Sequence, residues 1–156
     1  MASEFKFQIN LNWHKKDADE YSQNPKSSKN HTVTIESKEL LNLSAAREFK
    51  GDPKLHNPED LLLSSLSSCH MMSYLYCCQK HNIDILDYKD QAEATLELKP
   101  DGSGKIIKAR LSPIITITDP NKIQLAFTLH EEARKLCFIA NSCNFEIEHY
   151  PTINAL

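Results

Sequence analysis

The stretch from Leu61 to Cys78 contains no Asp, Glu, Lys or Arg side chain, which is long for a chain in which a quarter of the residues are charged. Asn57 can cap a helix and Pro58 suits the first helical position, so we predict one long helix over 57–81. A helix without a charged face is normally buried, which places this one at the centre of the fold. Serines at positions 64, 65, 67 and 68 are small enough for a second copy of the helix to pack closely against it.

The segment before this helix predicts three strands and two loops. Apolar and polar residues alternate over 5–13, which is typical of a half-buried strand. Two shorter apolar patterns, over 33–35 and 40–43, indicate further strands. The polar segment 15–30 and the segment 44–56, which contains a Gly-Asp-Pro sequence, are interpreted as loops.

The segment after the helix predicts further strands and a second helix. Alternation over 92–98, a glycine-containing turn and a return limb over 107–117 indicate a β-hairpin. Asp119, followed by a proline, opens a helix that ends near Cys137, and a last strand follows over 145–148. Runs of strands separated by single helices indicate an α+β fold.

Length and composition agree with a single domain over residues 1–156. Apolar residues make up 40% and charged residues 25%, which is an ordinary globular balance. The net charge of -3 and the scattered lysines give no reason to expect a nucleic-acid partner. The N-terminus lacks the regions of a secretory signal, and no window approaches the ~18 apolar residues of a membrane span. We therefore predict a cytoplasmic protein without membrane contact.

Five cysteines without a secretory signal argue against a secreted disulfide scaffold. Core packing, metal binding and thiol chemistry remain as possible roles. A metal site would use Cys69, His70, Cys77, Cys78 and His81, but this cluster lacks Cys-x-x-Cys pairs, and adjacent helical side chains point apart. We therefore predict no metal site and interpret Cys77 and Cys78 as packing residues.

Cys69 is the candidate for thiol chemistry, although a lone helical cysteine is more often an apolar filler. Peroxide reduction requires a thiolate nucleophile, and a second thiol can trap the sulfenic acid product as a disulfide. The neighbouring His70, the carboxylate of Glu59 and a second helix that ends in Cys137 favour the chemical role. Cys69 and Cys137 are the natural pair, one on each helix, while Cys143 is either buried or a competing second thiol.

Two sequence motifs resemble those of the OsmC/Ohr family. The first consists of NPEDLL at 57–62 and SCHMM at 68–72. The second consists of HE-x-A at 130–133 and CFIANS at 137–142. The predicted order of strands and helices agrees with this family, and the resemblance extends from about Trp13 to His149.

This resemblance implies an α+β fold in which antiparallel sheets wrap around a long central helix, within an intertwined homodimer that has two active sites at its interface. It implies a thiol-dependent peroxidase in which Cys69 attacks an organic hydroperoxide and Cys137 resolves the sulfenic acid. A glutamate and an arginine organise such a site, and the matching residues are Glu59 and, in the loop over 44–56, Arg47. The resemblance also implies a dithiol reductant such as a lipoylated protein, and no flavin, haem or metal cofactor.

Helix geometry constrains how this site is assembled. Glu59 and Cys69 lie about 15 Å apart along one straight helix, so a partner subunit must supply one of them unless the helix bends. Two alternative functions stay open on the same fold. One is a non-enzymatic protein that binds a small apolar ligand, and the other is a redox sensor in which a Cys69–Cys137 bond alters a partner surface.

Overall fold

The computed structural model describes residues 2–15 and 28–156. Their contacts form two compact units, residues 1–61 and residues 62–156. Most of the loop predicted over 15–30 lies outside the described residues. The single domain stays a prediction.

The first unit contains a three-stranded antiparallel sheet. Its strands, in spatial order, are β1 (Asn10–Asn12), β2 (His31–Thr34) and β3 (Leu41–Leu43). Val33 of β2 lies opposite Leu11 on one side and Leu41 on the other, which sets the register. The second and third predicted strands are therefore confirmed near their predicted bounds.

The N-terminal strand is much shorter than predicted, and its apolar side chains are uncovered. The alternating pattern over 5–13 forms a strand only at Asn10–Asn12. Exposure of the apolar side chains ranges from 53% at Trp13 to 93% at Phe7. The expectation of a half-buried strand is wrong for the single chain, because no residue in the described ranges covers this apolar face.

The long helix α1 spans Pro58–Lys80, as its capping residues predict. The Asn57 side chain accepts the Asp60 backbone N–H at 2.8 Å, and the Asp60 carboxylate accepts the Asn57 N–H at 3.3 Å. This reciprocal pair satisfies backbone donors that a helix start leaves free. Just beyond the helix, Asn82 adopts a left-handed φ of 54°, a conformation that asparagine tolerates well.

Helix α1 is buried on only part of its circumference. Its buried residues are Leu66, Cys69, His70, Tyr74, Cys77 and Cys78. Elsewhere around the helix, more than a third of each of four apolar side chains is exposed: Leu62, Met72, Leu75 and Tyr76. Burial on all sides, which the absence of charge predicts, is therefore wrong for the single chain.

The second unit contains two three-stranded sheets, each with one parallel pair. One sheet has the order β4 (Ile85–Asp90), β7 (Pro113–Ile117) and β9 (Thr152–Ala155). The other has the order β5 (Glu93–Leu98), β6 (Gly104–Leu111) and β8 (Glu146–His149). The pairs β4–β7 and β5–β6 are antiparallel, whereas β7–β9 and β6–β8 are parallel. The sheets are therefore mixed rather than antiparallel throughout.

The return limb predicted over 107–117 divides at Ser112 into two strands of different sheets. Strand β6 pairs with β5 across a turn in which Gly102 has a φ of 84°, so the hairpin itself is confirmed. Strand β7 begins at Pro113, a position that a strand tolerates, and pairs with β4 instead. The sequence pattern did not predict β4 or β9.

Helices α2 (Ile123–Leu136) and α3 (Phe138–Ser142) complete the second unit. A 3-10 turn over Pro120–Lys122 precedes α2, and the Asp119 carboxylate accepts the Asn121 N–H at 2.9 Å, as the cap prediction requires. Strands and helices together confirm the α+β class. None of the helices in the described residues combines the length and the apolar character that a membrane-spanning segment requires.

Two buried clusters form the core of the second unit. The larger cluster consists of Tyr74, Cys77, Cys78, Ile83, Ile115, Ile117, Ala126, Leu129 and Ala133. The smaller cluster consists of Leu66, Cys69, Ala109, Leu111 and Cys137. Helix α1 contributes to both, and in the smaller cluster it meets β6 and the residue that follows α2.

Candidate functional site

Cys69 and Cys137, far apart in the chain, lie together in the smaller buried cluster. Cys69 comes from the middle of α1, and Cys137 sits between α2 and α3, where its Sγ accepts the Ala140 N–H at 3.4 Å. Cys69 is 9% exposed, whereas Cys137 is completely buried. Both are free thiols, so the fold brings together the two sulfur atoms that the sequence pairs.

The electrostatic environment keeps the Cys137 thiol protonated at neutral pH. Burial is the main cause that raises its pKa to about 11, and the Ala140 N–H partly opposes this rise. The side chain of Cys69 interacts directly with that of Cys137 and raises this pKa further. A protonated Cys137 can donate a hydrogen bond to the Cys69 sulfur.

A cavity of about 370 Å³ lies beside the thiol pair in the second unit. Its lining residues are Leu63, Ser64, Ser67, Ser68, Met71, Tyr88, Asp90 and Ala92. Leu63 and Ala92 also pack against the cluster that holds the two cysteines, so these two side chains belong both to the cavity wall and to the surroundings of the thiols. The hydroxyl oxygen of Tyr88 is buried there without a hydrogen-bond partner among the described residues.

Glu59 lines a different cavity, of about 500 Å³, in the first unit. Trp13, Lys29 and Phe49 are among the residues that line this cavity. The Nζ atom of Lys29 donates a hydrogen bond to the Phe49 carbonyl oxygen at 2.6 Å. The Oε2 atom of Glu59 is buried and has no hydrogen-bond partner within the described ranges. A carboxylate oxygen in this state provides an acceptor for a donor that enters the cavity.

Arg47, the predicted arginine of the site, lies on an exposed 3-10 turn over Arg47–Phe49. Within the described part of the chain, Arg47 is not among the residues that line the Glu59 cavity, whereas Lys29 is. The structure therefore does not bring Arg47 and Glu59 together in one cavity. The roles of Glu59 and Arg47 in the reaction stay predictions.

Two buried histidines, His70 and His130, and the half-buried His149 form a cluster that the sequence pattern did not predict. His70 Nε2 and His130 Nδ1 are 3.0 Å apart, and the ring centroid of His149 lies 4.4 Å from that of His70. His130 also stacks on Tyr74 with ring centroids 3.9 Å apart. A signal existed in the sequence, because His130 shares the buried stripe of α2 with alanines one turn away on each side.

The buried histidines are neutral at physiological pH. Burial, followed by the influence of His149 and His130, lowers the pKa of His70 to about 3. Burial and then His149 lower the pKa of His130 to about 4, and burial is also the main cause of the lowered pKa of His149. Because a neutral imidazole adds no positive charge, His70 does not supply a cation to the neighbouring Cys69.

The remaining cysteines are separate from the thiol pair. Cys77 and Cys78 pack in the larger buried cluster, as predicted, and burial raises the pKa of Cys78 to about 11. Cys143 is half-buried, and burial raises its pKa as well. Among residues 2–15 and 28–156, no group of His, Cys, Asp and Glu side chains is arranged to hold a metal ion.

Known structures share this fold over almost the whole chain. An OsmC-like protein of unknown function from Vibrio cholerae O1 biovar eltor is 24% identical, with a TM-score of 0.81 over 95% of this chain and 99% of that one. An organic hydroperoxide resistance protein from Elizabethkingia anophelis is 15% identical, with a TM-score of 0.69 and full coverage, 100%, of both chains. An organic hydroperoxide resistance protein from Legionella pneumophila is 19% identical, with a TM-score of 0.68 over 97% of this chain and 99% of that one.

No protein with a curated description matches the chain. The family model of OsmC-like proteins matches residues 51–150, which include both motifs and both cysteines of the thiol pair. The predicted family is thereby confirmed, and this protein belongs to the OsmC-like family.

Proposed function

We propose that this chain is a thiol-dependent peroxidase that reduces organic hydroperoxides through Cys69 and Cys137. The Cys69 thiolate attacks the O–O bond, the alcohol leaves, and the sulfur becomes a sulfenic acid. The Cys137 thiol then attacks this sulfur, water leaves, and a Cys69–Cys137 disulfide forms. A dithiol reductant reduces the disulfide by two electrons and returns both thiols.

The observation that carries this proposal is the position of the two thiols in one buried cluster, where Cys69 influences the pKa of Cys137. A disulfide requires Cα atoms about 4.4–6.8 Å apart, so only neighbouring cysteines can close one without a large movement. The alternative interpretation of Cys69 as an apolar filler does not require a second thiol beside it. The pairing of residues from α1 and the end of α2 therefore favours redox chemistry.

The assignment of roles rests on exposure and protonation. Cys69 retains some exposure, whereas Cys137 is fully buried and its raised pKa keeps it protonated. The attacking thiol must reach the hydroperoxide, and the resolving thiol must reach only the sulfenic acid beside it. Cys69 therefore attacks and Cys137 resolves.

The substrate class follows from the nearby cavity and from the relatives. The cavity beside the thiol pair combines apolar walls, such as Leu63 and Met71, with the free hydroxyl oxygen of Tyr88. An alkyl hydroperoxide has an apolar chain and a polar O–O–H end, which match these two kinds of wall. Two of the similar structures are organic hydroperoxide resistance proteins.

A homodimer is part of this proposal, because the single chain leaves large apolar surfaces uncovered. The N-terminal strand exposes Phe5 and Phe7, and helix α1 exposes Met72 and Tyr76. Such surfaces on a soluble chain mark interfaces. Glu59 and Cys69 are ten positions apart on α1, which corresponds to about 15 Å on an ideal helix, so we assign Glu59 of one copy to the thiol pair of the other.

The decisive experiment measures consumption of an alkyl hydroperoxide with dihydrolipoamide as the electron donor, the free form of the dithiol that a lipoylated protein would supply. We expect turnover in the wild-type chain and none in Cys69→Ser. Cys143→Ser is the matched control, because it removes another accessible thiol of the second unit, and we expect it to keep its activity. Equal activity in the wild-type chain and Cys69→Ser would show that Cys69 is not the attacking residue.

A second candidate function is binding of a small apolar ligand without chemistry, and the cavity beside the thiols favours it. In that case a fluorescent fatty-acyl probe would bind equally well to the wild-type chain and to Cys69→Ser, and no hydroperoxide would be consumed. Hydroperoxide turnover in the wild-type chain excludes this alternative as the sole function.

A further inference from the structure

Side-chain contacts between α1 and α2 follow one antiparallel order. The Tyr74 hydroxyl donates to the Ala126 carbonyl oxygen at 3.0 Å. One turn further along each helix, His70 Nε2 and His130 Nδ1 are 3.0 Å apart. Cys69 is the residue before His70 on α1, and Cys137, with which it shares the smaller buried cluster, follows the last residue of α2. The histidine pair therefore joins α1 next to Cys69 to the helix that leads to Cys137.

The histidine pair is closed off from water. His70 is 0% exposed and His130 is 3% exposed. A hydrogen bond between two neutral imidazoles needs one N–H and one unprotonated nitrogen, so a single proton lies between the two rings, with either ring as its donor. The outer atoms, His70 Nδ1 and His130 Nε2, have no hydrogen-bond partner among the described residues. A first additional proton would bind to one of these outer nitrogens and leave the hydrogen bond intact. A second would protonate the inner acceptor nitrogen, so that two N–H groups would face each other.

The titratable groups around the histidine pair do not neutralise the positive charge that protonation would add to it. They are Tyr74 on α1, Tyr88 and Asp90 on β4, Glu131 and Arg134 on α2, and His149 on β8. The carboxylates of Asp90 and Glu131 favour positive charge at His149, and Arg134 opposes it. No carboxylate in the described ranges hydrogen-bonds to the pair itself. Protonation of the pair is therefore an uncompensated burial of charge.

We propose that His70 and His130 are positioning residues that clamp α1 to α2 in the register that allows Cys69 and Cys137 to form a disulfide, and that this clamp opens on protonation. The inference rests on the disulfide step of the proposed function. Neither histidine touches the reacting sulfur atoms in this role. Disulfide closure should then slow in acid for a reason separate from the ionisation of the thiols.

The test follows disulfide closure with one equivalent of 4,4′-dithiodipyridine, in chains that also carry Cys143→Ser. One thiol attacks the reagent and releases a first 4-thiopyridone, and the second thiol displaces another as the protein disulfide closes. The rate of the second release therefore measures closure, and peptide mapping confirms the Cys69–Cys137 bond. We compare the wild-type pair with His130→Leu, which removes the hydrogen bond, and with His130→Asn, whose Oδ1 takes the place of Nδ1.

We expect closure to slow about tenfold in His130→Leu and to stay within about threefold of wild type in His130→Asn. As pH falls from about 6 to 3, through the lowered pKa values of the two histidines, the wild-type rate should fall relative to that of His130→Asn, whose amide does not titrate. His81→Gln, an exposed histidine just beyond α1, is the control and should follow the wild-type pH dependence.

Wild-type closure rates in a folded His130→Leu chain would overturn the clamp. If His130→Leu does not fold, the pH comparison decides, and identical pH dependence in wild type and His130→Asn overturns the clamp. The assay contains no hydroperoxide. A chain that closes normally but consumes no hydroperoxide would therefore contradict the proposed function and leave the clamp standing.

Discussion

The carboxylate of Asp90 accepts the backbone N–H of Ser112 at 2.7 Å, at the point where β6 gives way to β7. The other oxygen of Asp90 accepts the Ser67 hydroxyl of α1 at 2.5 Å. One side chain therefore ties the long helix to the position where the chain passes from one sheet to the other. Asp90 also lines the cavity beside the thiol pair.

Replacing Asp90 with alanine should destabilise the second unit. The change leaves the Ser112 N–H and the Ser67 hydroxyl without their acceptor, which costs about 1–3 kcal/mol in the free energy of unfolding. Urea unfolding followed by circular dichroism measures this loss. Asp87→Ala is the control, because the ion pair of Asp87 with Lys89 is exposed and contributes little. Equal losses in the two variants would contradict the role assigned to Asp90.

Replacing Cys137 with serine should separate the two chemical steps. Without reductant, one equivalent of alkyl hydroperoxide should convert the wild-type chain to a disulfide, about 2 Da lighter by intact mass spectrometry. The Cys137→Ser chain should instead become about 16 Da heavier and form a dimedone adduct, because its sulfenic acid has no resolving thiol. A disulfide between Cys69 and Cys143 in that variant would show that Cys143 resolves the sulfenic acid.

Acid should destabilise the second unit through its buried histidines. Burial is the main cause that holds the pKa of His70 at about 3 and that of His130 at about 4. A histidine in the unfolded chain has a pKa of about 6.5. Above that pH, His70 and His130 are neutral in both the folded and the unfolded state, so no stability is lost. Below it, the unfolded chain binds protons that the folded chain excludes, so the free energy of unfolding falls by up to about 1.4 kcal/mol per pH unit for each histidine, down to about pH 4.

Urea titrations between about pH 7 and pH 4 measure this slope. The double variant His70→Gln and His130→Asn can keep a hydrogen bond between the two side chains without titrating, and we expect a shallower slope. The exposed His81 again serves as the control through His81→Gln. A slope that is equally steep in the double variant would show that other groups cause the acid sensitivity.

Replacing Glu59 with glutamine should impair the proposed reaction while the fold is kept. The unpartnered Oε2 of Glu59 provides a buried carboxylate in the cavity of the first unit, and the amide removes its charge with little change of shape. We expect kcat/KM for an alkyl hydroperoxide to fall by about 10–100-fold. Glu48→Gln is the matched control, since Glu48 is exposed on the neighbouring 3-10 turn. A change of less than about twofold in Glu59→Gln, within the scatter of surface substitutions, would remove Glu59 from the site.

Two apolar surfaces that the sequence pattern predicts to be buried are exposed in the single chain. The alternation of the N-terminal strand and the uncharged run of α1 both predict burial, yet Phe7 and Met72 are exposed in the single chain. An apolar sequence pattern indicates that a surface is buried, but it does not indicate whether the same chain or another chain buries it. The pattern of the return limb over 107–117 also does not show where the chain passes from one sheet to the other at Ser112. The apolar alternation continues almost unbroken through this bend.

The start of α1, the cap before α2 and the α+β class were predictable from the amino-acid sequence alone. These features depend on side chains close together in the chain, such as Asn57 with Asp60 and Asp119 with Asn121, so a local pattern is sufficient. The shared buried cluster of Cys69 and Cys137 and the His70–His130 hydrogen bond became visible only in the folded chain. Such contacts join residues from separate helices, and their geometry follows from how the whole core packs, which no local pattern contains.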